Sequence, residues 1–440
     1  MPSRRRCKIL IAARHPSAAG GAASIARAAR RRRIGVECFA TGPAWVSLLA
    51  RGIPDVYCFA TAAVHYPGLP RYSGPTRIEN ENLNRPTVLG RQVDAMVAWL
   101  TAYLSVSQPS VIVLTDATEQ LGADQLLAVA ATRLGIPAIR VRDSWGTAVG
   151  VETRAMRGLL PEPLRRQGLA TRYLEIDPRG IELSVRRLGL PRNRLHSVGG
   201  LYTLDRLVGR ATASRHLKAR QAIGVAPGVP LVTYFTQPTR RERAEVMALD
   251  AFVAGMNRAG LAAKGVVLAT QEHPREADAA DGELGLNWTA KRAGAAYQGA
   301  VINLSPKVLL QHTVSFEDTM AASDVFASSY SNASIEATAL GASAVKSLPI
   351  RRRPVGFHSL CPGAVRSTMA LSRAGLRLTP FGESGAVAMA TAPSQIGTLL
   401  SQLLLRPSSR RAHFRAMRRN GIGKCADRII DEAMSLVSNA

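Results

Sequence analysis

The stretch SDVFASSYSNASIEATALGASAVKSLP, residues 323–349, gathers hydroxyl and amide side chains where an apolar run gives way to a helical one. Ser329, Ser331, Asn332 and Ser334 crowd the turn, and Glu336 follows within one helical turn. A helix start carries unpaired N–H groups and a partial positive charge, so it suits an anion such as phosphate. Ser331, Asn332 and Ser334 are equally suited to cap those N–H groups themselves, and the helix dipole alone favours an acid such as Glu336. Position leaves both readings open. Other reactive side chains also follow apolar runs. His15 comes after KILIAA, beside Arg14 and just ahead of Gly20 and Gly21; Asp116 closes PSVIVLTD; His273 comes after GVVLAT, with Pro274 fixing the loop.

Strands are needed to hold these groups. The continuous apolar run Lys8–Ala13 predicts a buried strand, followed by the loop RHPSAAGGAAS and an Ala- and Arg-rich helix. GVECFA (35–40) predicts a second strand, with a helix around Trp45–Ala50. Residues 61–90 are rich in turn formers without a clear period and read as a long loop. A helix over Val93–Leu104, a strand at Val111–Leu114, a helix through Thr132 and a strand in GIPAIRV (135–141) follow. RYLEID (172–177) and RLHSVGG (194–200) close the first half.

The pattern then restarts. A basic helical stretch within 209–230 precedes five more candidate strands, LVTYF (231–235), GVVLAT (265–270), AVINLS (300–305), DVFASS (324–329) and ASAVKS (342–347). Such alternation predicts an α/β chain of two doubly wound parallel-sheet domains facing across a cleft. Ligands of such sheets bind beyond the carboxyl ends of the strands, where the hydroxyl turn, Asp116, His15 and His273 all fall. The expected domains are 1–208, 209–404 and a basic helical tail over 405–440, which begins LRPSSRRAHFRAMRRN from Leu405.

Composition narrows the function classes. A chain of 440 residues with 46% apolar and 20% charged residues is globular and long enough for two cores. No stretch approaches the roughly 20 apolar residues of a membrane span. The opening MPSRRRCKILIAA reads as a first strand rather than a signal peptide. Cys7, Cys38, Cys58, Cys361 and Cys425 are scattered without CxxC spacing, which points to a reducing, cytoplasmic compartment and to no metal site. The net charge of +26 favours anionic partners, although Ala- and Arg-rich usage also follows from a high-GC coding sequence. Aromatics are few and do not interleave with the Arg runs, so nucleic acid is not the expected partner. The basic tail is a solvated face or a peripheral contact with acidic headgroups at the inner membrane face.

Several stretches together resemble the GT-B superfamily of nucleotide-sugar glycosyltransferases and sugar-nucleotide 2-epimerases. PSVIVLTDATEQLGADQLLAVAATRLGIPAI is similar to the epimerase stretch where a strand ends in Asp and a helix leads to "GIP". LHSVGGLYTLDRL is similar to the close of the first domain, and VSFEDTMAASDVFASSYSNASIEATALGASAV to the helix, strand, turn and helix of the second. The SYSNASIEA core also resembles the turn of glycerophosphate- and capsule-transferring members. His273-Pro274 resembles an "HP" element of bacterial sialyl- and capsule-transferring families.

The resemblance implies a nucleotide diphosphate in the second domain, with Ser329, Ser331, Asn332 and Ser334 at its phosphates and Glu336 at its ribose. Epimerase elimination needs carboxylates after the "GIP" strand, where this chain has Arg142, Asp143, Ser144 and Trp145. It also needs a His after the first strand of the second domain, where this chain has YFTQPTRRER. Asp143 stands one position from a missing carboxylate. A transferase needs a base for the acceptor hydroxyl. His15 stands where some GT-B transferases carry one, and Asp116 is placed to orient it. His273, Arg240 and Arg241, and more weakly Arg14, can meet the charge of a departing diphosphate.

The expectation is therefore a metal-independent glycosyltransferase that uses no cofactor. Its partners would be a nucleotide-activated sugar and an acceptor that is anionic, lipid-linked or a polysaccharide precursor. A 2-epimerase or hydrolase using Asp116 and Asp143 is the first alternative. A non-catalytic basic protein binding nucleic acid or membranes is the second.

Overall fold

The computed structural model describes residues 7–14, 16–74, 86–115, 123–142, 170–200, 202–208, 210, 212–236, 243–272, 287–304, 314–328, 333–341, 343–347, 387–390, 393–405, 412, 415–416 and 424–438. The chain forms two compact units, Met1–Arg206 with Gly421–Ala440, and Leu207–Asn420.

The first unit runs β1 (Lys8–Ala13), α1 (Pro16–Arg31), β2 (Gly35–Ala40), α2 (Pro43–Ala50), β3 (Val56–Tyr57), α3 (Phe59–His65), α4 (Pro86–Ser107), β4 (Val111–Thr115), α5 (Ala123–Arg133), β5 (Ala138–Val141), β6 (Arg172–Glu175), α6 (Pro178–Leu188) and β7 (Leu195–Ser197). Its strands pair in parallel in the order β3-β2-β1-β4-β5-β6-β7. Both faces of β1 are buried, which is why its run is continuously apolar. Ile9 and Ile11 face α1 and α2, whereas Leu10 and Ala12 face α4 and α5. Helix α6 carries its boundaries in its sequence. Asp177 accepts from Gly180 N at 2.8 Å, Pro178 opens the helix, and Gly189 ends it at φ 65°.

The second unit runs α7 (Ala213–Ala222), β8 (Leu231–Phe235), α8 (Arg243–Arg258), β9 (Val267–Gln271), α9 (Trp288–Ala296), β10 (Val301–Asn303), α10 (Phe316–Ala322), β11 (Val325–Ser328), α11 (Ala333–Leu340), β12 (Ser343–Ser347), β13 (Ala388–Ala390) and α12 (Pro393–Leu405). The parallel order β10-β9-β8-β11-β12-β13 repeats the winding of the first sheet. At the amino edge the buried Arg220 guanidinium donates to Ala322 O, Val229 O and Asp324, joining α7, α10 and the start of β8. Among the described residues no helix is long and apolar enough to cross a membrane.

Three expectations change. The glycine pair belongs to α1 rather than to a loop, since the helix starts at Pro16, where a proline lacking its N–H is tolerated. The stretch read as loop over 61–90 contains the end of α3 and the start of α4. The segment expected as one basic tail is divided. Leu405 ends α12, and the last helix, α13 (Cys425–Ser438), belongs to the first unit. Its Cys425, Ala426, Ile429, Ile430 and Ala433 form one apolar stripe buried in the core beside α1. Each large aliphatic group so buried contributes about 1.5–3 kcal/mol.

Candidate active site

In the first unit the chain leaves β1 for α1 on one face of the sheet and leaves β4 for α5 on the other. Because β1 and β4 are neighbours, their carboxyl ends bound the crevice where doubly wound sheets take ligands. The buried Thr115 hydroxyl donates to Ala12 O at 2.7 Å and fastens β4 to β1 at this edge. Arg14, directly after β1, is partly buried. His15, Asp116 and Asp143 lie outside the described residues.

Gly20 and Gly21, set out above as candidate nucleotide-binding glycines beside His15, pack closely against the segment after β7. A Cβ on Gly21 would lie 2.0 Å from a ring carbon of Tyr202, and one on Gly20 would lie 3.0 Å from Arg206 Nε. Their bare backbone lets the segment after β7 press against α1. That is a packing role.

Arg142, at the end of β5, is a feature whose surroundings the sequence does not disclose. It is 3% exposed, with Nε 3.6 Å from Glu175 Oε1 and the guanidinium 5.5 Å from the centre of the Tyr173 ring. Ser184 also donates to Glu175, at 2.5 Å. The strand end where an acid was sought thus presents a cation held in a buried pair.

The second unit repeats the division. Helix α8 packs on the face lined by Val232 and Tyr234; α10 covers the other face with α7, and α11 lies against α10. The neighbouring ends of β8 and β11 bound the second crevice. Ser334 is wholly buried, and its hydroxyl is 2.5 Å from that of the equally buried Ser328. It therefore ties the start of α11 to the end of β11 rather than presenting a hydroxyl to solvent. Thr338 adds to the brace by donating to Ser334 O at 3.1 Å. Glu336 is partly exposed in the first turn of α11. Ser329, Ser331, Asn332, Arg240, Arg241 and His273 lie outside the described residues.

Two buried acids at this edge have no signal in sequence spacing. Glu272, directly after β9, accepts from Thr289 N at 3.2 Å and Thr289 Oγ1 at 3.1 Å, which pins the strand end to the start of α9. Glu245, in the first turn of α8, accepts from Tyr234 OH at 3.0 Å. Among the described residues no group of three or more His, Cys, Asp and Glu comes together as a metal ligand set.

No family model matches the sequence, and no curated protein matches it. Solved structures do match. UDP-N-acetylglucosamine 2-epimerase from Methanocaldococcus jannaschii is 13% identical, with 97% of this chain and 99% of that one covered and a TM-score of 0.60. The Anabaena HepE protein, solved in complex with UDP and glucose, is 15% identical over 98% of this chain and 100% of that one, with a TM-score of 0.58. A glycosyltransferase from Rickettsia africae is 8% identical over 99% and 100%, also at 0.58. The fold is GT-B.

Proposed function

We propose that this chain is a nucleotide-sugar enzyme that transfers a sugar from a nucleotide-activated donor to an acceptor hydroxyl. The likeness to folds solved with UDP supports the donor class. The observation that carries the choice of reaction is the buried Arg142–Glu175 pair. Epimerase elimination asks for carboxylates after this strand, and an arginine already engaged by an acid does not supply that chemistry.

In this reading His15 takes the proton from the acceptor hydroxyl as its oxygen attacks the anomeric carbon, and Asp116 orients the imidazole and stabilises its charged form. The bond from the anomeric carbon to the diphosphate oxygen breaks, and its electron pair leaves with the nucleotide. His273, protonated, and Arg240 meet that charge. The turn after β11, braced by Ser328 and Ser334, offers Ser329, Ser331, Asn332 and helix N–H groups to the phosphates. Glu336 takes the ribose hydroxyls.

The experiment is turnover of a nucleotide sugar with and without acceptor extract, in the unaltered chain and in His15→Ala. Transfer predicts product only with acceptor, lost in the variant while donor affinity holds. The second reading, 2-epimerisation or hydrolysis through Asp116 and Asp143, is favoured by the likeness to the M. jannaschii epimerase. It predicts a changed sugar or free sugar with no acceptor present.

A further inference from the structure

At the carboxyl edge of the second sheet, β9 ends in two buried polar residues, Thr270 (1% exposed) and Gln271 (3%). Among the described residues neither the Thr270 hydroxyl nor the Gln271 amide oxygen has a hydrogen-bond partner. A buried polar group left without a partner is costly, and native interiors satisfy nearly all of them. The backbone here is firmly tied. Gln271 O accepts from Thr236 N at 3.0 Å, Thr270 O accepts from Leu304 N at 2.8 Å, and Glu272 is pinned by Thr289. Gln271 is the register partner of Phe235, so the two share one face of the sheet. Strand β8 stands between β9 and β11, which places Gln271 one strand from the crevice. An acceptor held idle on a fixed strand end, beside the place where such sheets take ligands, suits a donor that arrives with the ligand.

We propose that Gln271 Oε1 accepts a hydrogen bond from an N–H or O–H of the nucleoside half of a bound nucleotide. The inference rests on the nucleotide reading above and adds a specificity-determining residue to it. Ionised phosphates bring acceptor oxygens only, so they leave this oxygen unmatched. The donor comes from the base, as an imide or amino N–H, or from a ribose hydroxyl. A site built around such a bond discriminates strongly against ligands that lack the donor.

The test is calorimetric titration of UDP, CDP, GDP and ADP into the full chain and into Gln271→Met, which keeps the side chain's length without its amide. Affinity for the preferred nucleotide should fall about tenfold or more. The melting temperature of the unliganded protein should hold, because no hydrogen bond to Oε1 from the described residues is lost. Loss confined to one base assigns the base N–H, and equal loss across all four assigns the ribose hydroxyl; either result upholds the inference. Undiminished affinity overturns it and leaves the nucleotide reading intact. Failure of the unaltered chain to bind any of the four removes both. Gln271→Asn, with the amide drawn back by one methylene, should lose affinity as well and carries the test if the Met variant does not fold.

Discussion

The Ser328 and Ser334 hydroxyls meet at 2.5 Å, both wholly buried, one at the end of β11 and the other in the first turn of α11. The pair ties the end of the strand to the start of the helix, and Ser329, Ser331 and Asn332, proposed to meet the phosphates, lie between the two in sequence. Ser334→Ala leaves the Ser328 hydroxyl unmatched and should cost about 1–2 kcal/mol in urea unfolding. The double variant Ser328→Ala/Ser334→Ala removes both partners and should recover most of that loss. Additive losses would mean that the two hydroxyls do not act as a pair.

The two glycines of α1 should respond unequally. Gly21→Ala drives a methyl into the Tyr202 ring and should destabilise by about 1–3 kcal/mol. Gly20→Ala meets a flexible arginine side chain and gains up to about 1 kcal/mol of helix propensity, so its net change should be small. Thermal unfolding of the two variants side by side checks the contrast. Equal losses would contradict the packing assigned to Tyr202.

Those glycines also mark the limit of what the sequence discloses. Strands β1, β4, β8 and β11 are legible because both faces of each are buried and the run is almost entirely apolar. Their pairing is another matter. That β1 lies beside β4, and β8 beside β11, depends on contacts about a hundred residues apart, and the crevices follow from that pairing alone. Gly20-Gly21 looks like a loop until Tyr202, far along the chain, presses on it. The stripe of α13 looks like a tail until α1 covers it. Ser334 reads as a ligand group because its hydroxyl type is visible in sequence and its inward direction is not. Gln271, Glu272 and Arg142 give no spacing signal, since each is defined by a neighbour on another element.

Arg142 offers a stability test of the buried pair on which the proposed transfer reading rests. Arg142→Met removes the guanidinium from beside Glu175, which is 4% exposed, and should cost about 3–5 kcal/mol. Chemical denaturation measures it. A neutral result would show that the guanidinium is not held by this pair.

Alkaline pH should weaken the first unit. Burial pushes the Cys38 thiol from its ordinary 9.0 up to about 12. Burial, followed by the neighbouring Glu37 carboxylate, pushes the Tyr103 hydroxyl well above 10.0. Both groups keep their protons in the native state after the unfolded chain has lost them. Their contribution is fully present below about pH 9 and is lost as pH rises from there towards 12. Urea unfolding between pH 7 and 10.5 should show falling stability above pH 9, with a shallower slope in Cys38→Ala. Stability that is flat or rising across that range would contradict the burial assigned to these side chains.

The central claim, a nucleotide site in a GT-B enzyme, is tested most directly by thermal shift of the full chain with UDP, GDP, CDP, CMP, dTDP and ADP at moderate salt. A ligand that binds only the native state raises the melting temperature in proportion to its affinity and concentration. The account predicts one nucleotide standing clear of the others, with the shift persisting as salt is raised. Equal, salt-sensitive shifts for all six, or no shift with any, would contradict it.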